Sequence, residues 1–308
     1  MNGVAILNPR AGLAAARARA ALERSPHWRG MHVRLTTGPG DARRYAAEAA
    51  AAGAEIVLAI GGDGTANEIA WGLLGSSTAL GLVPMGSGNG LARTLGIPLK
   101  PDSALAALAE AVPRAMDVGM INERPFLNVA GAGFDAQVGL DFHEHGRRGG
   151  RRGVFTYVRL SVLRTMNYRA ESFVLDAGGQ KFEGRAYIVA FVNGRQYGGG
   201  AVLVPGARLD DGLLDIVIIE DAPALELAWN AQRLFFGTLS KYRRYRHIAA
   251  STAVLTATTP VPHHRDGEPE QTPARLEASV LPRALRILVP RKTASDPHGP
   301  FQPQPLIR

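Results

Sequence analysis

The chain has 308 residues and no cysteine, 46% of its residues are apolar, and 35 basic against 27 acidic residues give a formal net charge of +8. This length favours two domains over one, and the lack of cysteine excludes disulfide bonds and thiolate metal sites. No apolar stretch is long enough to span a bilayer and no secretory leader is recognisable, so we expect a soluble, cytoplasmic protein. The positive charge is compatible with nucleic acid, anionic membranes or phosphorylated ligands.

Short apolar runs alternate with alanine-rich helical stretches in the first part of the chain. Strands are predicted at residues 4–7, 32–36, 55–60 and 80–83, and helices at 13–24, 41–52 and 66–74. Repeated strand–helix units of this kind form a parallel sheet with helices on both faces. We therefore predict a Rossmann-like, three-layer α/β domain over residues 1–116, with its ligand beyond the carboxyl ends of the strands.

The pattern changes to strands from about Asp117. Strands are predicted at residues 126–130, 168–175, 184–192, 212–219, 253–258, 275–280 and 285–289, with helical insertions near 154–166 and 223–238. Alternating and β-branched residues favour an antiparallel arrangement, so we predict a mainly β sandwich domain over residues 117–290. Residues 291–308 are rich in proline, and we expect a loosely attached tail.

The most informative motif is GGDGT, from Gly61 to Thr65, between a predicted strand and a predicted helix. Glycines allow the backbone to approach a ligand closely, and the N-terminus of the following helix presents backbone N–H groups that suit a phosphate. The carboxylate of Asp63 in the same loop suggests a metal ion or a water network beside the phosphates. The motif therefore predicts a nucleotide phosphate site.

A second glycine-rich loop, Gly86 to Gly90, follows the next strand of the predicted sheet. Its Ser87 hydroxyl can donate to a phosphate, and Asn89 can fix the loop or bind a phosphate oxygen. Two such loops after neighbouring strands would form one cradle. The Asn8-Pro9 turn is expected at the same sheet edge, although this dipeptide by itself mainly indicates a turn.

Two acidic turns lie in the second half of the chain. The turn from His263 to Glu268 reads as a β-hairpin, in which Asp266 and Glu268 could accept a proton from an attacking hydroxyl; its two histidines are expected at the surface. The turn from residue 208 to 215 contains three acids and is equally compatible with a Mg²⁺ site and with an ordinary Asp-Gly turn.

Two basic runs, at residues 147–152 and 241–246, are more simply explained as solvated charged faces. The second run contains two tyrosines, which would also suit a lipid headgroup interface. No helix-turn-helix or RNA-stacking motif accompanies the positive charge, so we expect no nucleic-acid partner.

Seven motifs occur in order between Ala5 and Val289. They are NPxAG at 8–12, GGDGTxNE at 61–68, PxGSGNGLAR at 84–93, DVG at 117–119, NxxGxGFDA at 128–136, DGxLD at 211–215 and DGE at 266–268. The ordered set resembles the diacylglycerol kinase catalytic-domain family of lipid kinases, which includes soluble bacterial members and sphingosine kinases. GGDGT alone also occurs in NAD kinases and phosphofructokinases, so the whole set is the more specific signal.

The resemblance implies that ATP binds in an interdomain cleft together with Mg²⁺. The residues it assigns to the nucleotide and its magnesium–water network are Asn8, Thr36, Gly61, Gly62, Asp63, Gly64, Thr65, Asn67, Ser87, Asn89 and Asp117. It implies that Glu268 is the proton acceptor, assisted by Asp266, with Asp63 in the catalytic set. It also implies a structural Mg²⁺ site formed by the Asp211 carboxylate and the backbone carbonyls of Arg208 and Leu213.

The chain departs from the family pattern at two positions. Leu13 stands where many bacterial members have lysine, and Arg10 could substitute with different geometry. Gly90 stands where many diacylglycerol kinases have aspartate, which brings this loop nearer to the sphingosine kinase version.

We therefore expect an ATP- and Mg²⁺-dependent kinase of a diacylglycerol-like or sphingoid-like lipid, peripherally associated with an anionic membrane. The alternatives are a NAD kinase-like nucleotide kinase and a catalytically silent lipid-binding regulatory protein. The sequence leaves the oligomeric state open, including a homodimer.

Overall fold

The structure is a computed structural model, and it describes residues 2–148, 154–165, 168–198, 200–270 and 274–303. The chain divides into two compact units. The first contains residues 2–118, 208–211 and 282–303 of the described chain, and the second contains the described residues of 119–207 and 212–281. No helix in the described ranges is both long and apolar enough to cross a membrane.

The strands are numbered in chain order. They are β1 (Gly3–Leu7), β2 (His32–Leu35), β3 (Ile56–Gly61), β4 (Ala79–Pro84), β5 (Val112–Ile121), β6 (Arg124–Phe126), β7 (Val129–Gly133), β8 (Glu171–Ala177), β9 (Gln180–Val192), β10 (Gln196–Gly198), β11 (Ala201–Val202), β12 (Leu214–Glu220), β13 (Tyr245–Ala250), β14 (Thr252–Ala257), β15 (His263–Arg265), β16 (Glu268–Glu270) and β17 (Arg275–Val289).

The helices are numbered in the same way. They are α1 (Leu13–Arg24), α2 (Asp41–Ala51), α3 (Asp63–Leu73), α4 (Gly90–Thr94), α5 (Pro101–Ala109), α6 (Phe134–Arg147), α7 (Val154–Thr165), α8 (Ala224–Ala231) and α9 (Arg291–Ala294). Short 3-10 helices cover Pro9–Ala11, Gln232–Leu234 and Leu239–Lys241.

The first unit is built on a parallel sheet in the order β4-β3-β1-β2, and the last residues of β17 pair in parallel with β4. The central strands are apolar throughout, as expected for strands covered on both faces; Ile6, Leu58, Ile60 and Leu80 are fully buried. Helices α1 and α5 pack together, as do α2 and α3. The predicted parallel α/β architecture is confirmed.

Helix α3 begins at Asp63 rather than at residue 66, as the sequence had suggested. Asp63, Gly64 and Thr65 therefore form its first turn, and only Gly61 and Gly62 of the motif precede it. An acidic residue in the first turn is favourable because the helix dipole is positive at this end. The glycines of the motif suggested a longer loop, but the helix begins directly after Gly62.

The C-terminal residues return to the first unit, and the prediction of a loosely attached tail is wrong for residues 291–303. Phe301 is buried, its ring faces the Arg114 guanidinium, and the Pro300 carbonyl accepts a hydrogen bond from Leu209 N–H. Two of the predicted strands, 275–280 and 285–289, are one strand, β17, with Arg283 in a left-handed conformation between them. The proline-rich composition of this segment suggested a loose tail, whereas Phe301 anchors it by being buried.

The second unit is an antiparallel arrangement centred on β9. This strand pairs with β8, β7 and β12. Strand β8 pairs with β14, which pairs with β17. Strand β7 pairs with β15, which pairs with β16, and β12 pairs with β13. Successive side chains of β9 and β12 enter two separate hydrophobic clusters: Phe191 and Ile216 belong to one, and Val192 and Val217 to the other. The sheet is therefore covered on both faces, as in a β sandwich.

Candidate functional site

The predicted phosphate-binding residues of the first unit lie at one edge of its sheet. Strand β1 ends at Leu7, which pairs with Ile60 of β3, and Gly61 pairs with Pro84 at the end of β4. The turns that start at Asn8, Gly62 and Met85 therefore leave the sheet at a common edge.

One hydrogen bond ties the two glycine-rich turns together. The backbone N–H of Asn89 donates to Asp63 Oδ2 at 2.8 Å. Asn89 adopts a left-handed conformation, and its side chain accepts a hydrogen bond from Gly86 N–H and donates one to the Gly86 carbonyl, at 3.0 and 2.7 Å. Asp63 thus links the turn after β3 to the turn after β4, and Asn89 holds the second turn in shape.

Close approach explains why glycine occupies this cradle. A Cβ at Gly86 would lie 3.0 Å from Gly62 Cα, and a Cβ at Gly88 would lie 3.0 Å from Asp63 Oδ2. Both distances are shorter than ordinary contacts, so a side chain at either position would push the turns apart. The glycines let two backbone segments lie side by side next to the start of α3.

The start of α3 is suited to an anion. No side chain caps its N-terminus, since Gly62 is the capping residue. Asn8 Nδ2 donates to Thr65 Oγ1 at 3.2 Å, which connects the turn after β1 to the first turn of α3. Asn8 Oδ1 also accepts from Arg10 N–H, so this asparagine shapes its own turn. The helix N-terminus can direct backbone N–H groups at a phosphate.

Thr36 follows β2 at the same edge, where its N–H donates to the Leu7 carbonyl at 3.0 Å. The next residues are held by Asp41 Oδ2, which accepts from Thr37 N–H, Thr37 Oγ1 and Gly38 N–H. Together with a hydrogen bond from Arg44, the bonds from Thr37 and Gly38 hold the pKa of Asp41 well below its usual range, and those from Thr37 have the largest effect. The sequence analysis predicted a helix from residue 41 but did not predict that the carboxylate of Asp41, its first residue, would bind the backbone of the preceding turn.

The remaining predicted nucleotide residues differ in exposure. Ser87 is exposed and Asn67 is buried. Asp117 is fully buried on β5: its Oδ1 accepts from Arg283 N–H at 2.7 Å, and its own N–H donates to the Leu209 carbonyl. The Asp117 carboxylate therefore also holds the irregular middle of β17.

The predicted Mg²⁺ ligands, Arg208, Asp211 and Leu213, lie on the turn that precedes β12. Asp211 is exposed, and the three donors are oxygen atoms, which fits Mg²⁺ if water completes the coordination. The described residues contain no cluster of three or more His, Asp or Glu side chains able to hold a metal. The neighbouring Asp210 has a structural role, because it pairs with Arg114 and accepts from Gln302 N–H.

The acidic turn of the second unit is a β-hairpin formed by β15 and β16, as predicted. Asp266 and Gly267 at its tip both have positive φ angles, 48° and 84°. The Asp266 carboxylate accepts hydrogen bonds from the N–H groups of Leu127, Asn128 and Val129, at 2.8, 2.8 and 3.2 Å. These bonds divide the predicted strand 126–130 into β6 and β7. Asp266 therefore anchors the hairpin to the backbone at the start of β7.

Glu268, two residues later, is the carboxylate of the hairpin that remains accessible. Its side chain is 59% exposed, and Oε2 lies 3.7 Å from His143 Nδ1 on α6. An accessible carboxylate on a hairpin anchored by Asp266 is suited to accept a proton from a bound hydroxyl. Asp266 and Glu268 thus have different environments although only one residue separates them.

A cluster of three polar side chains contacts this hairpin. His264 Nε2 and the Tyr197 hydroxyl both bond to Asp135 Oδ2, at 3.1 and 2.7 Å, and Gly267 N–H donates to His264 Nδ1. A Cβ at Gly131 would lie 2.3 Å from Asp135 Oδ2, so only glycine fits there. We refer to Asp135, Tyr197 and His264 as the polar triad; Asp135 and His264 are buried and Tyr197 is partly buried.

The prediction that both histidines lie at the surface is wrong, since His263 is 4% and His264 2% exposed. The reason is that β15 pairs with β7 on one side and with β16 on the other. Glu270, on β16, binds His263 and Arg265. Partial burial alone would raise the pKa of Glu270, but the hydrogen bonds from His263 and Arg265 hold it far below its usual range.

The structure describes the basic run at residues 241–246 in full but only part of the run at residues 147–152. Residues 149–152 of the first run lie outside the described residues. In the second run the tyrosines turn inward: Tyr242 is buried and donates to Glu226 Oε1 at 3.0 Å, and burial, followed by this bond, raises its pKa to about 12. The tyrosines of this run therefore do not form a headgroup surface.

A cavity of about 460 Å³ lies elsewhere in the first unit, lined in part by Arg19, Glu23, Arg29 and His32. It opens beside the start of β2, whereas ligands of parallel sheets bind beyond the carboxyl ends of the strands. We therefore do not assign the candidate site to this cavity.

Comparisons with known proteins agree with the two units. The diacylglycerol kinase catalytic domain model matches residues 2–121, and the YegS C-terminal NAD kinase beta sandwich-like domain matches residues 128–289. A protein named "Probable lipid kinase YegS-like" from Pseudomonas fluorescens is 37% identical over 278 residues, which cover 88% of this chain and 90% of the relative. The protein of the same name from Pseudomonas putida is 36% identical over 262 residues, 84% of this chain and 85% of the relative.

Solved structures share the fold. A diacylglycerol kinase from Bacillus anthracis str. Sterne gives a TM-score of 0.71 at 22% identity, covering 94% of this chain and 97% of that chain. An NAD kinase from Archaeoglobus fulgidus in complex with ATP gives a TM-score of 0.51 at 15% identity, covering 94% of each chain. At these identities the structural likeness concerns the fold alone.

Proposed function

Because the chain belongs to the family of YegS-like lipid kinases and contains a diacylglycerol kinase catalytic domain, we propose that it transfers the γ-phosphate of ATP to the hydroxyl of a lipid. The acceptor class we propose is a diacylglycerol-like or sphingoid-like lipid. The observation that carries the proposal is the 2.8 Å bond from Asn89 N–H to Asp63, which joins two glycine-rich turns beside a helix N-terminus. This arrangement is suited to the phosphates of a nucleotide.

In this proposal the first unit holds ATP. The N–H groups at the start of α3 and the Ser87 hydroxyl bind phosphate oxygens, and Thr36 and Asn8 lie at the same edge as further nucleotide contacts. Mg²⁺, when bound, would neutralise charge on the phosphates, and the Asp63 carboxylate would hold its water shell. The family resemblance adds Asp117 to this network, although its carboxylate is fully buried here and accepts from Arg283 N–H. A second ion would bind Asp211 and the carbonyls of Arg208 and Leu213.

The second unit supplies the proton acceptor. A lipid hydroxyl is a poor nucleophile, and phosphoryl transfer depends mainly on positioning and on charge neutralisation. Glu268 has the exposure to receive the hydroxyl proton. Asp266 contributes by holding the hairpin that carries Glu268. Removal of a positioned general base typically lowers a rate by about 10²–10⁴-fold.

The test is mass spectrometry of a total lipid extract incubated with the protein, γ-¹⁸O-labelled ATP and Mg²⁺. The proposal expects a lipid alcohol to gain one labelled phosphate. NAD is offered in a parallel reaction, because a NAD kinase-like enzyme would phosphorylate NAD instead. Label found only in inorganic phosphate would show ATP hydrolysis without transfer to a lipid and would contradict the proposal. No turnover with any acceptor would also contradict it and would favour a catalytically silent lipid-binding protein.

A further inference from the structure

Helix α8 and the residues that follow it carry an exposed apolar face. Leu225 and Trp229, four residues apart and therefore on one side of the helix, are 79% and 74% exposed, and Phe236 at the end of the segment is 74% exposed. Phe235 is exposed as well. The exposed Trp and Phe side chains among the described residues all lie in this segment. We call Leu225, Trp229, Phe235 and Phe236 the apolar face.

The opposite side of the same segment packs against the core of the second unit and so fixes the apolar face in place. Leu227 and Leu234 pack against the hydrophobic cluster that contains Leu239 and Tyr242. The segment is therefore apolar on both sides, whereas a helix on a soluble protein normally directs polar residues outward. Exposed apolar residues that cluster in this way mark a surface for interaction.

Basic residues accompany the apolar face. Residues 224–246 contain five basic residues and one acid, Glu226. Glu226 Oε2 accepts from Arg243 Nη2 at 3.0 Å, and Glu226 also binds Arg244, so the basic run is attached to α8 directly beside Leu225. Lys241 is exposed, and the Arg243 side chain is 71% exposed.

We propose that the apolar face docks on an anionic lipid bilayer. Trp229 and Phe236 enter the boundary between headgroups and acyl chains, while Lys241 and Arg243 meet the lipid phosphates. Aromatic side chains favour this boundary, and basic residues beside an apolar helix face are typical of interfacial helices.

The positive charge beside the apolar face favours an anionic lipid bilayer over a second copy of this chain as the binding partner. A symmetric dimer through this face would bring two basic rims together, which is unfavourable, whereas anionic headgroups are complementary to them. The high exposure of the side chains also distinguishes this face from a pocket for one lipid, which would enclose its ligand. The inference does not depend on the kinase activity proposed above.

The experiment uses the full chain without ATP, mixed with phosphatidylglycerol–phosphatidylcholine vesicles or with pure phosphatidylcholine vesicles. Tryptophan emission reports insertion, because Trp28 is buried and Trp71 lies under Arg43, which leaves Trp229 as the exposed tryptophan. We expect a blue shift with the anionic vesicles and quenching by brominated acyl chains. Trp229→Phe should remove the shift while vesicle sedimentation persists.

Two variants test the face itself. Leu225→Ser/Phe236→Ser should weaken sedimentation with anionic vesicles at least tenfold, and Lys241→Ala roughly fivefold, from about 1 kcal/mol per basic residue. Val174→Ser, which removes an exposed apolar side chain from β8, is the matched control and should bind as the parent does. Parent-like sedimentation of the double variant would overturn the inference. A second contradicting result would be a parent chain that forms a dimer and a double variant that does not, with equal vesicle binding by both. The apolar face would then bind a second copy of the chain.

Discussion

The carboxylate of Asp266 accepts a hydrogen bond from the backbone N–H of Asn128 at 2.8 Å, and its other oxygen accepts one from Leu127 N–H at the same distance. Glu268, on the same hairpin, is mostly exposed. The two acids of the DGE motif therefore have different environments. Asp266 fixes the hairpin, and Glu268 faces solvent.

Asp266→Ala should destabilise the second unit, because it leaves the N–H groups of residues 127–129 without their acceptor. Loss of the partner of a buried polar group destabilises by about 1–3 kcal/mol. Hydrogen exchange should accelerate at Leu127 and Asn128, and the Tm should fall. Unchanged exchange there would contradict the anchoring role.

Glu268→Gln should lower kcat by about 10²–10⁴-fold while ATP affinity and Tm remain unchanged. The exposed side chain has little part in packing, so glutamine can replace it without structural loss. The measurement is lipid phosphorylation beside isothermal titration with ATP. A variant with full activity would place the proton acceptor elsewhere.

Gly86→Ala should weaken ATP binding, because the added Cβ would lie 3.0 Å from Gly62 Cα and separate the two turns. We expect an increase in Kd of at least tenfold, equivalent to about 1.4 kcal/mol. Gly206→Ala is the matched control, since a Cβ there meets nothing within 4 Å. Equal Kd values for the two variants would show that close contact of the turns is not needed.

Gly131→Ala should disrupt the polar triad, because the new Cβ would lie 2.3 Å from Asp135 Oδ2. We expect a large fall in Tm. Gly139→Ala on α6, where a Cβ meets no atom, should keep or raise the Tm. Tyr197→Phe isolates the hydroxyl and should destabilise by about 1 kcal/mol. A stable Gly131→Ala protein would mean that the triad does not hold the hairpin.

The Asp41 carboxyl should titrate below its usual pKa, because Thr37, Arg44 and Gly38 bind its ionised form. A lowered folded-state pKa means that this contribution is fully present above the unfolded pKa, about 3.9, and is lost as the pH falls through the folded value. Carbon-detected NMR of the carboxyl follows the titration. In Asp41→Asn, the amides of Thr37 and Gly38 should exchange faster at neutral pH. A normal Asp41 pKa would contradict the hydrogen bonds that Thr37 and Gly38 donate to its carboxylate.

The first unit was more predictable than the second because its signals are local. The strand ending at Ile60, the glycines after it and the loop around Asn89 can be read within a few residues of one another. The burial of His264 in the second unit depends on strand β7, which is distant in sequence. In the first unit the exception is Phe301, whose packing depends on the equally distant Arg114. Such long-range partners leave no periodic signal in a short window. Likewise, the sequence places Asp266 and Glu268 in one hairpin, but it gives no sign that Asp266 binds the distant backbone of Leu127 and Asn128.

The most direct test of the central claim compares the parent chain with Glu268→Gln in a reaction containing γ-³²P-labelled ATP, Mg²⁺ and dispersed lipid alcohols, followed by extraction into organic solvent. The account predicts that the parent transfers label to the organic phase and that Glu268→Gln, which binds ATP equally well, transfers at least a hundredfold less. Label that stays in the aqueous phase for the parent chain, or equal transfer by both proteins, would contradict it.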